Sequence, residues 1–382
     1  MLLRADTVLT GRDLLRPAWI DVVDGTVRAI GAGLPPRAAD RDLGAVTVVP
    51  GFVDVHVHGG GGATFSGATS SDVSTAVAAH RRCGTTTMLA SLVTADPTDL
   101  ARQVAALREH VQAGQLAGIH LEGPWLAPRR SGAHDPALMR DPTADDVNRL
   151  LSLGDGIIRM ITLAPERAGA LDAVRRIVGA GAVAAVGHTD ATYEQTRAAV
   201  DAGATVGTHL FNAMRPIHHR DPGPVIALLE DARVTVELIA DGVHVDPAMY
   251  RHVIRSAGPD RVSLVTDAMA AAGASDGAYR LGRLTVDVVD GTARVAGTDT
   301  IAGGTATMDR VFRFAIAHSS LPRDEALKLA VGMSSINPAR AVGLPAEGLV
   351  PGAAADLVVL DADLAVVGVM HRGTWVLDVT VG

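Results

Sequence analysis

Between Val46 and Val57 the chain is mostly apolar and β-branched, the pattern of a strand buried on both faces of a parallel sheet. The strand is expected at 49–56, and seven more runs of this kind follow at 86–92, 117–121, 157–163, 182–187, 204–208, 233–239 and 261–266. Helical periodicity fills the intervals. It covers 72–83 with Ser70 and Ser71 as caps, 97–113, 143–153 behind Thr143, 168–180, 192–202 and 247–257. Alternating strands and helices over roughly 300 residues predict an α/β fold, a (β/α)8 TIM-type barrel rather than a doubly wound sheet. In such a barrel the chemistry sits at the carboxyl ends of the strands.

The two ends of the chain have a different rhythm. Short β-rich runs at 5–10, 19–23 and 26–30, with Asp24-Gly25 as a two-residue hairpin turn, are matched by runs at 355–361 and 364–369. We therefore expect a small β-sandwich domain built from both termini, 1–47 and 346–382, flanking a barrel domain at 48–345. Two segments break the alternation inside the barrel. Residues 278–296 predict a β-hairpin turned by Asp290-Gly291, and 123–141, rich in Pro and Gly, predicts a long loop over the barrel mouth and a candidate lid.

Composition narrows the function classes. With 382 residues, 48% of them hydrophobic, the chain can bury a large core. A net charge of -8 argues against nucleic-acid and membrane-surface binding, which need a basic footprint. No apolar run of about 18 residues escapes charge or glycine, so no membrane span is expected. The N-terminal residues lack a signal-peptide pattern, and the single Cys83, read as a small buried filler, suits a reducing cytoplasm. The unusual feature is histidine, 14 residues against three Trp, three Tyr and five Phe, many of them ending apolar runs.

The residues that end the predicted strands are His56 and His58, Glu122, His188, His209, Asp241 with His244, and Asp267. In an extended chain residues i and i+2 share a face, so His56 and His58 are expected to grip one ion while Val53, Val55 and Val57 pack on the other. Four histidines and a carboxylate on separate strands predict a divalent metal site, with one ion or with two bridged by Glu122. Zinc comes first, with iron, manganese or cobalt as alternatives, since no thiolate favours a softer ion. Asp267, ending the last strand, is the natural general base and acid for a metal-assisted hydrolysis. His120, within the third strand, is read as a packed or supporting residue.

The opening Pro50-Gly51-Phe52-Val53-Asp54-Val55-His56-Val57-His58-Gly59 resembles the first motif of the amidohydrolase superfamily, as do the stretches 337–344 and 352–361. More narrowly, His120–Trp125, Gly132-Ala133-His134, Gly187-His188-Thr189, Thr208–Met214, Asp241–His244 and Val265–Met269 are similar, in order, to the N-acetylglucosamine-6-phosphate deacetylase family. The resemblance implies removal of the acetyl group from that sugar phosphate, in amino-sugar catabolism and cell-wall recycling. It implies Glu122, His188 and His209 as ligands of a main metal, His56 and His58 as those of a second, and Asp267 as acid and base. It further implies Asn212, Ala213 and Arg220 at the phosphate, His244 at the sugar or its phosphate, and His134 closing over the sugar. In some relatives the arginine comes from a neighbouring subunit, which would make a homodimer functional. Ser131 on the loop and Ile301–Gly304 near the acetyl site depart from the family pattern. Two competing readings are another amidohydrolase, such as a cyclic amidase or deaminase, and a catalytically silent binding protein.

Overall fold

The computed structural model describes residues 1–379. Eight parallel strands form the central sheet: β1 (Phe52–Val57), β2 (Thr85–Val93), β3 (Gly118–Glu122), β4 (Ile158–Leu163), β5 (Val183–Val186), β6 (Val206–Gly207), β7 (Thr235–Leu238) and β8 (Val262–Leu264). Each pairs with its neighbours in chain order. Beyond the end of β8 a parallel bridge between Val57 and Ala268 closes the sheet on itself. The fold is a (β/α)8 barrel.

Helices α1 (Ser70–Arg82), α2 (Pro97–Gln112), α3 (Ala144–Gly154), α4 (Ala170–Gly179), α5 (Tyr193–Asp201), α6 (Gly223–Glu230), α7 (Pro247–Ala257) and α8 (Met308–His318) lie around it. Their buried residues, such as Val77, Leu107, Leu150, Ile177, Leu228, Val253 and Phe312, share one core cluster with the outer faces of the strands. The cap of α1 is Thr69 rather than Ser70 or Ser71. Its side chain takes the Asp72 N–H while Asp72 caps the Thr69 N–H in return.

The run expected as one strand at 49–56 is two. Thr47–Pro50 pairs with Thr7–Leu9 and with Leu357–Leu360 in a six-stranded sheet, and only Phe52–Val57 enters the barrel. A four-stranded sheet made from residues 2–5, 18–23, 26–32 and 41–42 packs on the six-stranded one through Leu3, Ile20, Val27, Val48, Leu357 and Val359. At the turn of its hairpin Asp24 and Gly25 take φ of 48° and 76°, the paired positive values that a two-residue turn requires. The segment expected as a hairpin at 278–296 is a three-stranded meander, Gly277–Leu281, Leu284–Val289 and Thr292–Val295.

Strand β1 carries the feature that matters for chemistry. Its register against β2 shifts between Asp54 and Val57, a β-bulge. Val53 and Val55 accordingly join Leu89, Met160 and Val206 in the barrel interior, whereas Val57 packs in the outer cluster. The three valines therefore do not share a face, and His56 and His58 turn toward the same side of the barrel as Val53 and Val55.

Candidate metal centre and active site

His56 is near the end of β1 and His58 just past it, Glu122 is the last residue of β3, and His188, His209 and Asp267 follow β5, β6 and β8. The last three have φ of 48°, 28° and 47°. Non-glycine residues rarely occupy this left-handed region, and its concentration here marks strain held in place by the surrounding barrel.

Glu122 is the hub of the cluster. Its Oε1 lies 3.1 Å from His188 Nε2, 3.0 Å from His209 Nε2 and 3.4 Å from His56 Nε2. Its Oε2 lies 3.1 Å from both His58 Nε2 and His134 Nε2. Asp267 Oδ1 reaches His56 Nε2 at 3.3 Å and His58 Nε2 at 3.2 Å. Burial opposes every charge here, yet the imidazoles of His56, His134 and His188 hold Glu122 well below the usual carboxylate range. His56 and His58 likewise hold Asp267 ionised against its burial. In return the two carboxylates, outweighing desolvation, lift His58 to about 9 and His56 well above its ordinary value. The cluster draws in positive charge.

That demand fits a divalent cation. The Nε2 atoms of His188 and His209 face each other at 3.0 Å, and those of His56 and His58 at 3.2 Å. Two imidazole lone pairs at that separation need a cation beside them, whether proton or metal. The atoms of His56, His58 and Glu122, and of Glu122, His134 and His188, lie within 4.8 Å of one another in each set. Within the second set His134 is a donor rather than a ligand. The Thr94 N–H donates to His134 Nδ1 at 3.2 Å, which leaves the ring proton on Nε2 to be donated to Glu122. Burial pushes His134 down to about 4, so the ring is neutral at pH 7. His209 takes its place beside His188 and Glu122.

A cavity of about 310 Å³ opens over the cluster, lined by His58, Glu122, His134, His188, His209 and Asp267 and also by Asn212, Ala213 and His244. Asn212 is fixed by donating Nδ2–H to the His209 carbonyl at 3.1 Å. His244 Nδ1 pairs with Asp241 Oδ2 at 2.8 Å; desolvation is overcome, and His244 is raised while Asp241 is lowered. Ile301 and Gly303 form another part of the wall. Arg220 is not part of this lining. It is exposed, with Nη1 2.7 Å from His219 Nε2. A larger cavity of about 550 Å³ lies at the opposite end of the barrel, between it and the terminal sheets, and contains none of these donors.

Two supports, Glu237 and Asp54, were not read from the sequence. Glu237, in the middle of β7, is fully buried with Oε2 3.1 Å from His56 Nδ1. Its signal is an acid inside the apolar run 233–239. Asp54, inside the first motif, accepts the Thr266 hydroxyl at 2.6 Å; burial pushes its carboxyl up to about 7. His120 is a supporting residue: Ser91 Oγ is 2.9 Å from its Nδ1 and Thr162 Oγ1 2.8 Å from its Nε2, and its ring stands edge-on to His56 at 4.6 Å.

Residues 47–376 match the amidohydrolase family. The chain belongs to that family. It is 35% identical to N-acetylgalactosamine-6-phosphate deacetylase of Escherichia coli O157:H7, over 97% of this chain and 98% of the relative. It is 34% identical to N-acetylglucosamine-6-phosphate deacetylase of Vibrio furnissii, over 98% and 94%. Among solved structures, a mutant of N-acetyl-D-glucosamine-6-phosphate deacetylase from Mycobacterium smegmatis, in complex with N-acetyl-D-glucosamine-6-phosphate, is 65% identical. That comparison covers 99% of both chains with a TM-score of 0.98. Among the described residues of this amidohydrolase no helix is long and apolar enough to cross a membrane.

Proposed function

We propose that this amidohydrolase removes the acetyl group of N-acetylglucosamine 6-phosphate, giving acetate and glucosamine 6-phosphate. The observation that carries the reading is the convergence of Glu122, His188, His209 and an ionised Asp267 on one cavity, in a chain 65% identical to a deacetylase solved with that sugar phosphate. Glu122, His188 and His209 are proposed to hold the main ion and His56 and His58 a second. Zinc is the first choice, because imidazole and carboxylate donors without thiolate suit it as they do iron, manganese and cobalt. Bound there, a divalent ion supplies polarisation of the acetyl carbonyl and a water acidified to a pKa of about 7.

The chain's own residues do the rest. Asp267, ionised beside His56 and His58, takes the proton of the attacking water and returns it to the departing amine. His134 keeps Glu122 oriented through its Nε2–H and presents its ring to the sugar. Asn212, the Ala213 amide and His244 face the cavity where the sugar and its phosphate would sit. Arg220 would complete the phosphate site from a neighbouring copy, since a guanidinium fork matches phosphate and this one does not line its own cavity. This makes a homodimer the working assembly. The cytoplasm is the proposed compartment, consistent with a lone half-buried Cys83.

The 35% identity to an N-acetylgalactosamine-6-phosphate deacetylase favours a second reading, in which the 4-epimer is the preferred sugar. The test is amine release by metal-loaded protein from both N-acetylhexosamine 6-phosphates and from unphosphorylated N-acetylglucosamine. Turnover of the gluco phosphate at least tenfold above the other two is expected. No acetate from it would sink the proposal. Preference for the galacto phosphate would select the second reading, and an unchanged KM in Arg220→Ala would favour a cyclic amidase or deaminase.

A further inference from the structure

We propose that Glu237 is the positioning residue shared by both halves of the metal centre, an inference that rests on the metal-dependent reading above. Glu237 does not face the cavity; it lies behind the donors, fully buried, in the centre of β7. One carboxylate oxygen serves two clients. Oε2 is 3.1 Å from His56 Nδ1 and accepts the His209 N–H at 3.2 Å. The Glu237 carbonyl also accepts the Leu210 N–H at 2.9 Å, so side chain and backbone together grip the turn that carries His209.

Each bond has a chemical consequence. With His56 Nδ1–H donated to the carboxylate, the lone pair of that ring is confined to Nε2, the atom that faces His58, Glu122 and Asp267. His209 sits at φ 28°, a conformation a histidine does not hold unaided, and the bond to its N–H helps to lock it so that Nε2 meets Glu122. A buried carboxylate also needs a compensating charge. Among the described residues the charged group paired with Glu237 is His56, with no arginine or lysine bridging to it. The negative charge of Glu237 is thereby directed through the His56 ring to the ion position. An acid in an apolar strand is costly, and this pair of contacts accounts for its place in β7.

Glu237→Gln is the direct test. It keeps shape and an oxygen that can accept from both donors, and removes the charge. Zinc affinity, measured by competition with a chromophoric chelator, is expected to fall about 10–100-fold, with stoichiometry measured by elemental analysis of the dialysed protein. Unchanged affinity and stoichiometry in a folded variant would overturn the role of Glu237 while leaving the metal reading intact. A wild-type protein that binds no zinc would overturn both. A second measurement covers a variant that fails to fold: histidine-selective ¹⁵N NMR of zinc-loaded wild type, with the His56 signals assigned by their loss in His56→Gln. An Nδ1-protonated, Nε2-metallated ring is expected for His56; metal on Nδ1 would refute the proposal.

Discussion

The two ends of this barrel are made of the same strands and do opposite things. At the carboxyl end, β1, β3, β5, β6 and β8 release histidines and acids whose side chains crowd to within 3.0–3.4 Å, and those that follow β5, β6 and β8 take left-handed φ. Toward the amino end β1, β2, β4 and β6 turn Val53, Leu89, Met160 and Val206 into the interior, where Ala339 and Val342 pack against them. The larger cavity is at the amino end, and the cluster of histidines and acids is at the other. Size does not locate the site; the density of buried titratable groups does. The barrel keeps its strain at one end and its packing at the other.

If that division holds, mutations at the two ends must separate activity from stability. The largest effect is expected from Asp267→Asn. Losing the group that moves the proton should lower kcat by about 10³–10⁴-fold, which is about 4–5.5 kcal/mol, with the melting temperature unchanged or higher. Amine-release kinetics and a thermal melt on one preparation check both halves. A kcat within tenfold of wild type would remove Asp267 from the mechanism. At the opposite end, Leu357→Ala empties part of the sandwich core, where Leu357 is fully buried. A cost of about 2–5 kcal/mol in urea unfolding is expected, with kcat/KM per folded molecule within twofold. A matching loss of activity would mean that the two ends are coupled.

How legible each end was in the sequence follows from its physics. The barrel strands announce themselves because burial on both faces demands β-branched runs, and the donors were visible because polar residues that end such runs stand out. What stayed hidden depends on register and on distant partners. The bulge in β1, which turns Val55 and His56 toward one side, leaves no mark in a pattern that reads as strict alternation. The break at Gly51 was hidden because Thr47–Pro50 and Phe52–Val57 are both apolar, and only pairing with Leu357–Leu360 assigns the first to the terminal sheet. Glu237 was in view as an acid in β7, but its partner His56 lies 181 residues away. Arg220, chosen by resemblance, lies off its own cavity.

The carboxyl end can itself be divided. His56 and His58 face Asp267 and Glu122 on one side; His188 and His209 face Glu122 Oε1 on the other. His56→Ala combined with His58→Ala should lower metal content from two ions toward one per chain, read by elemental analysis, while the remaining ion keeps its affinity within about tenfold. Unchanged stoichiometry would mean that the pair serves Asp267 and Glu122 as hydrogen-bond partners and holds no ion.

The smallest effect sharpens the boundary between site and scaffold. His80, on α1, is fully buried with Nε2 2.8 Å from the Gly59 carbonyl, one residue past His58. Burial holds its pKa below the ordinary 6.5, and the bond to Gly59 only partly offsets this. Between the folded value and 6.5 the unfolded chain therefore binds more protons than the native one. The contribution of His80 is fully present above pH 6.5 and is lost as the pH falls from 6.5 through the folded value. One such group changes stability by at most about 1.4 kcal/mol per pH unit. His80→Gln, which keeps a donor for Gly59 and cannot titrate, should flatten the slope of unfolding free energy against pH below 6.5 by up to that amount, with metal content unchanged. An unchanged slope would show that His80 does not titrate on unfolding. A change in metal content would show that the scaffold under Gly59 belongs functionally to the site.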